Sequence, residues 1–378
     1  MKMEKLRVAL IGYGKVAHLH AQALHAIPEA EPVAVCGRSL ERAQSFAQQY
    51  GLHPFTDVSE MIARQSVQAV VVCTPHPAHA APTVEALQQG VHALVEKPLA
   101  SSLADADAMI AAADQSGARL GVISQRRFYE PVRRVRQAID EGRIGHPVLG
   151  NAIMYGWRDQ AYYASDPWRG QWGAEGGGVL VNQAPHQLDL LQWFMGPIDE
   201  LFGYWDNLNH PYIEVDDTAV AVLRFRSGGL GTILVSNAQK PGIFGKVHVH
   251  GSNGSSLGVQ TEGGAMFIAG MSAVLEPPIN DLWTVPGEED RLAQWQAEDR
   301  ARFEQIDPAL HYLTLQDRDF VRSILDGREP AVTGRDGRVT VEIFTAIYRS
   351  QRDRAPVKFP VSAEDGAEQF DGRLVPPS

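Results

Sequence analysis

The run RVALIGYG (7–14) passes directly into KVAHLHAQALHAI (15–27), and that join constrains the fold more than any other stretch. The first part is a short buried-strand pattern, and the second spaces its apolar residues as a helix does. Gly12-x-Gly14-x-x-Ala17 sits at the junction, with Lys15 and Val16 completing the loop. Gly12 permits a tight turn, Gly14 lets a pyrophosphate approach the backbone, and Ala17 allows close helix packing; the helix N-terminus then faces the phosphates. The alternation continues through PVAVCGR (32–38), LERAQSFAQQYG (40–51), VQAVVVCTP (67–75), HAAPTVEALQQG (79–90), HALVEKP (92–98), SLADADAMIAAADQSG (102–117) and RLGVIS (119–124). Strands alternating with helices predict a doubly wound parallel sheet. Residues 1–124 are therefore expected to form a dinucleotide-binding Rossmann domain.

A chain of 378 residues is long for one core, and the pattern changes after residue 145. PVLGNAIMYGW (147–157), TAVAVLRFR (218–226), LGTILVSNA (230–238) and GKVHVHGS (245–252) alternate as half-buried antiparallel strands do. A second α/β domain is expected over 125–378. Within it, 270–308 reads as an inserted arm, with Trp283 and Trp295 to bury against a neighbouring subunit or within the arm's own lobe. The net charge of −11 argues against nucleic acid or an anionic membrane as partner. No run approaches the roughly 20 apolar residues of a membrane span. The two cysteines, Cys36 and Cys73, end apolar runs and are read as buried thiols of a reducing compartment, so the cytoplasm is the expected location.

The second strand ends Cys36-Gly37-Arg38-Ser39, without the carboxylate that would read an NAD ribose. Arg38 and Ser39 suit a 2′-phosphate, which leans toward NADP; NAD held through other contacts is the alternative. Histidines 18, 20, 76 and 79 are not completed into a metal site by any acid or cysteine, and no metal is expected.

Three further stretches join the glycine loop in one pattern: VVVCTPHPAHA (70–80), VEKPLA (95–100) and GGGVLVNQAPHQLDLLQWFMG (176–196). Together they resemble the glucose–fructose oxidoreductase / inositol dehydrogenase / rhizopine-catabolism (Gfo/Idh/MocA) family, a resemblance that extends to DFVRSILDGREPAVTGRDG (319–337). It implies a Rossmann domain followed by an α/β domain with an open, largely antiparallel sheet. It implies that Lys97, in the Glu96-Lys97-Pro98 step, lies beside the nicotinamide and the substrate hydroxyl, where an ammonium stabilises a developing alkoxide. Thr74, Pro75, His79 and Glu96 fall among its cofactor-side positions.

Asn182-x-x-x-His186 is read on one helix opened by glycines 176–178, both side chains on one face. His186 is the candidate general acid/base. Asn182 stands where many family members carry aspartate, so it binds a hydroxyl without taking a proton. Asp189 is a candidate to orient His186 or a helix-surface charge. The segment MYGWRDQAYYASDPWRGQW (154–172) is similar to pyranoside-acting branches and offers Arg158, Tyr163, Trp168 and Arg169 as substrate-side residues. Arg126 and Arg127 add positive charge that admits an acidic sugar.

The activity implied is hydride transfer between NAD(P) and a secondary ring hydroxyl of a sugar, glycoside or cyclitol, by a homo-oligomer (dimer or tetramer). A redox-cycling glycosidase, which oxidises the ring transiently, eliminates the aglycone, adds water and re-reduces, would carry the same motifs. A redox sensor holding the dinucleotide only as a ligand would leave Lys97 and His186 without a task.

Overall fold

The structure, a computed structural model, describes residues 5–240, 244–262 and 276–363. It divides into two compact units. One comprises the chain up to Gln125 together with Ala309–Arg338, and the other Arg126–Pro308 with the chain from Val339 onward.

The first unit is built on a six-stranded parallel sheet of β1 (Leu6–Ile11), β2 (Ala30–Cys36), β3 (His53–Phe55), β4 (Ala69–Val72), β5 (His92–Val95) and β6 (Leu120–Val122), in the order β3-β2-β1-β4-β5-β6. Every residue of β4 is buried, as a strand covered on both faces requires. Helix starts are set by Ser39, Asp57 and Ser102, whose side chains accept the N–H of Arg42, Glu60 and Asp105. The three-residue β3 and the helix Val58–Gln65 escaped the sequence pattern, the first because HPF is too short to show a period.

The second unit holds an eight-stranded sheet of β7 (Pro147–Tyr155), β8 (Ile198–Asp206), β9 (Thr218–Phe225), β10 (Leu230–Ser236), β11 (Phe244–Gly251), β12 (Ser256–Glu262), β13 (Ile279–Trp283) and β14 (Val357–Lys358), in the order β13-β12-β11-β7-β10-β9-β8-β14. All its neighbours are antiparallel except β7 and β10, which run parallel. β9 alternates buried and exposed along its length, one face on the core. Of the expected arm, 270–275 lies outside the described residues. The rest forms β13 and the helix Arg291–Phe303, where Trp283 and Trp295 meet edge to face at 4.7 Å. Arg134 lies over Trp295 and grips Asp299 through two 2.7 Å bonds, so both tryptophans pack within their own unit.

One expectation needs correcting. A single boundary after residue 124 placed everything beyond it in the second domain, yet 309–338 belongs to the first unit. Leu313, Phe320 and Val321, on one face of the helix Pro308–Leu325, join the core of β1, β2 and β4. Gln316 receives the Ser124 N–H (2.9 Å) and donates to the Val122 carbonyl (2.8 Å), completing the hydrogen bonding at the end of β6. Between them Asp317 reaches His20, which is wholly buried: Nδ1 lies 2.9 Å from Asp317 Oδ2, and Nε2 lies 3.1 Å from Glu96 Oε1. Burial alone would lower the His20 pKa, but the charge and hydrogen bond of Asp317, joined by Glu96, raise it to about 10. The stability that the imidazolium contributes is therefore fully present below pH 6.5 and is lost as pH rises through about 10. Removing one member of a buried charge group strands the others. Asp317→Ala is expected to lower unfolding free energy at pH 7 by about 3 kcal/mol or more. A loss under about 1 kcal/mol in denaturant titration would show that the group is not an anchor.

Candidate functional site

The glycine loop has the form a dinucleotide needs. Gly12 sits at φ +107°, and a Cβ there would lie 2.8 Å from the Cys73 carbonyl carbon and oxygen. A Cβ on Gly14 would meet nothing within 4 Å, so the backbone there borders open space. The helix Lys15–Ala26 starts at Gly14 without a side-chain cap, leaving first-turn N–H groups for an anion. Ala17 is fully buried, while Lys15 is exposed and Val16 half-buried. These residues fit the pyrophosphate of a nicotinamide dinucleotide. At the end of β2, Arg38 is exposed. Ser39 is occupied on both sides, its hydroxyl capping the helix Leu40–Tyr50 and its N–H donating to the Tyr13 hydroxyl at 3.0 Å.

Glu96-Lys97-Pro98 leaves the end of β5, and the Lys97–Pro98 peptide is cis. Glu96 holds this turn: Oε1 takes His20, and Oε2 accepts the Lys97 backbone N–H at 2.9 Å. Burial would raise the Glu96 pKa, but the hydrogen bond and charge of His20, with the Lys97 charge, hold it below the ordinary range. His79, also wholly buried, lies across the turn with Nδ1 3.0 Å from the Pro98 carbonyl and Nε2 2.9 Å from that of Thr74. Its side chain thus joins the end of β4 to the turn after β5. Pro75 is exposed beside half-buried Thr74, and Lys97 itself is half-buried.

In the second unit the glycine run is fixed by Asp216, which the sequence reading missed. Its carboxylate accepts the N–H groups of Gly178 (2.7 Å) and Leu180 (3.0 Å) and the Tyr348 hydroxyl (2.7 Å). A Cβ on Gly178 would lie 1.8 Å from the Asp216 carbonyl oxygen, so no other residue fits there without backbone movement. Asn182 and His186 do not share one helix, contrary to expectation. Asn182 ends the short helix Val179–Asn182, and His186, nearly buried, lies in the first turn of the helix Pro185–Met195. Pro185 has no N–H to continue the first helix, and it begins the second well.

Glu175, also missed, lies against Asn182. Its Oε1 accepts the Asn182 amide at 2.5 Å and its Oε2 the Gly170 N–H at 2.6 Å. Burial drives its pKa up to about 7 against the pull of those bonds and of Arg169. Asn182 also donates to the Tyr162 hydroxyl (3.3 Å), which fixes its Nδ2 toward the protein and turns its Oδ1 the other way. Arg169 lies over both Trp168 (4.4 Å) and Tyr162 (4.3 Å), and Tyr163 accepts the Asn237 amide at 2.9 Å. Arg158 is buried with its centre 5.2 Å from the Tyr162 ring. Arg126 is buried too, its pKa pushed down to about 10 by desolvation despite Tyr129. Asp189 is neither a surface charge nor placed for His186 alone: both its oxygens engage Arg127, at 2.8 and 2.6 Å.

Residues 6–124 match the model of an oxidoreductase family with an NAD-binding Rossmann fold, and residues 132–256 match the Gfo/Idh/MocA C-terminal domain. The chain belongs to the Gfo/Idh/MocA family. Among relatives of that family it is similar to the myo-inositol 2-dehydrogenase of Thermotoga maritima, at 26% identity over 93% of this chain and 98% of that one. It is likewise 26% identical to the scyllo-inositol 2-dehydrogenase (NAD(+)) of Bacillus subtilis, over 94% and 97%. Among solved structures it resembles the WlbA dehydrogenase of Bordetella pertussis in complex with NADH and UDP-GlcNAcA, with TM-score 0.83 and 30% identity over 96% of this chain and all of that one. Family membership makes the chain a nicotinamide-dependent oxidoreductase. Among the described residues no helix is long and apolar enough to cross a membrane, and no cluster of three or more metal-ligating side chains occurs.

Because the folded pKa of Glu175 is raised, its contribution to stability is present below pH 4.5 and is lost as pH rises through about 7. Glu175→Gln cannot titrate. The wild-type minus variant difference in unfolding free energy should therefore fall by about 3 kcal/mol between pH 4.5 and 8. A difference that stays constant with pH would mean that Glu175 ionises as an ordinary carboxylate.

Proposed function

We propose that this oxidoreductase transfers a hydride between a nicotinamide cofactor and a secondary ring hydroxyl of a sugar or cyclitol. The observation that carries the reading is the turn bearing Lys97, clamped by Glu96, His20 and His79 at the end of a cofactor-binding sheet.

The nicotinamide, when bound, supplies the hydride acceptor or donor. Lys97 hydrogen-bonds the reacting oxygen and stabilises its negative charge as the C–H bond gives up its electron pair. His186 takes the hydroxyl proton during oxidation and returns it during reduction. Asn182, oriented by Glu175 and Tyr162, presents its carbonyl oxygen to a neighbouring hydroxyl. Trp168 and Tyr163 supply apolar ring faces to the sugar. The relatives named as inositol dehydrogenases support the cyclitol or sugar class. NAD is the favoured cofactor, because two of the relatives above are named with it: the scyllo-inositol 2-dehydrogenase with NAD(+) and WlbA with NADH. The sequence's lean toward NADP rested on Arg38 and Ser39 together where the ribose-reading carboxylate is missing, and Arg38 is exposed.

Incubation with a panel of pyranosides and cyclitols, followed at 340 nm, tests the reading. Reduced cofactor should accumulate in proportion to substrate, and Lys97→Met and His186→Ala should each lower kcat by about 10²–10⁴-fold. Release of an aglycone with no net change at 340 nm would overturn the dehydrogenase assignment. Wild-type turnover by Lys97→Met would remove Lys97 from the mechanism.

A further inference from the structure

Arg158 is only 6% exposed, and its guanidinium is half satisfied. Nη1 donates to the Trp157 carbonyl at 2.8 Å, whereas Nε and Nη2 have no hydrogen-bond partner among the described residues. The hydroxyl of Tyr162, whose ring lies beside it, already accepts N–H groups from Arg169 (2.5 Å), Gln183 (3.2 Å) and Asn182 (3.3 Å). Burial lowers the Arg158 pKa; Tyr162 and Tyr163 offset part of this, Tyr162 also as a hydrogen-bonding neighbour, and the Arg169 cation adds to it, so no carboxylate neutralises the guanidinium. A buried cation without a counter-charge costs several kcal/mol. The two unpartnered donors share one edge of the guanidinium, the edge that grips a carboxylate by two parallel bonds.

Two more orphaned polar atoms belong to the same cluster. Asn237 accepts the Arg158 N–H through its backbone carbonyl (2.9 Å) and gives its amide to Tyr163 and Gln183, yet its Oδ1 has no partner among the described residues. His210, wholly buried against Trp157 and Tyr163, pairs Nδ1 with Asp217 at 2.9 Å, and its Nε2 has no partner there either. A hydroxyl can meet that nitrogen as donor or as acceptor. A carboxylate for the arginine edge, hydroxyls for the two other polar atoms and a ring to lie on aromatic faces describe one kind of molecule. Of the two arginines that the sequence offered for an acidic ligand, Arg127 is neutralised by Asp189, and Arg126 bonds Tyr129.

We propose that Arg158 is the anion-binding residue of the substrate site and that the substrate is a sugar acid, its carboxylate held by Nε and Nη2. This deepens the carbohydrate reading above and rests on it for the reaction, though not for binding. The full-length protein is tested with methyl hexuronides, the matching neutral methyl hexosides, and hexose 6-phosphates as tetrahedral anions, by thermal shift and by turnover at 340 nm. Hexuronides should raise the melting temperature and show kcat/KM at least tenfold above their neutral counterparts. In Arg158→Gln that ratio should fall to near one, and in Arg158→Lys, which keeps the charge but loses the fork, it should lie between. Equal use of neutral and acidic sugars by the wild type, survival of the preference in Arg158→Gln, or a stronger response to the phosphates would each overturn the assignment. If Arg158→Gln does not fold, the wild-type ratio alone decides. A hexuronide shift that needs Arg158 but brings no reduced cofactor would uphold the site and sink the oxidoreductase reading instead.

Discussion

The first unit depends on one imidazolium. His20 comes from the helix after the glycine loop, Glu96 from the end of β5, and Asp317 from a helix 297 residues further along the chain. None of the three can be left charged and alone in the interior, so the elements that carry them are fixed together or not at all. Glu96 accepts the Lys97 N–H with its second oxygen, so the helix after the glycine loop and the turn that carries Lys97 share one electrostatic anchor. His79 packs between the Thr74 and Pro98 carbonyls; burial lowers its pKa, and the neutral ring donates its one N–H to one of the two.

The second unit solves a similar problem with neutral partners, setting backbone N–H groups, a hydroxyl and an amide against buried acids. Asp216 secures the glycine run through three donors, and Glu175 secures Asn182. This gives a physical reason for an amide at position 182. A carboxylate there would face Glu175 at hydrogen-bond distance, and two acids that close cannot both ionise. The amide instead donates to Glu175 and keeps a defined orientation, at the cost of any proton-transfer role of its own. Proton exchange then falls to groups elsewhere, which is why the proposed mechanism assigns it to His186.

The parallel sheet was legible because periodicity survives in its strands. RVALIGYG, VQAVVVCTP and HALVEKP are continuous apolar runs bounded by glycine or proline, and each became a strand. The return of 309–338 to the first unit was not legible. Leu313, Phe320 and Val321 form an ordinary amphipathic stripe, and a stripe does not say which core it will join. The family pattern pointed to Lys97, but the buried partners that define its surroundings leave no local trace. His20 reads as one more residue of a helix, and Asp317 as a charge among LQDRDF. Glu175 in WGAEGGG and Asp216 in EVDDTAV are likewise acids whose burial is decided by distant chain segments. The Asn182–His186 spacing misled because helical arithmetic ignores Pro185, which splits the segment in two.

The charge on His20 is what ties these elements to the Lys97 turn. With histidine labelled at its ring nitrogens, the His20 resonances among the 13 histidines can be assigned by their loss in His20→Gln and followed by NMR through the pH range. The account predicts two protonated ring nitrogens from pH 6 to about 9, with deprotonation only near pH 10. A neutral ring at pH 7.5, with one nitrogen bare, would contradict it and leave the Lys97 turn without the anchor described here.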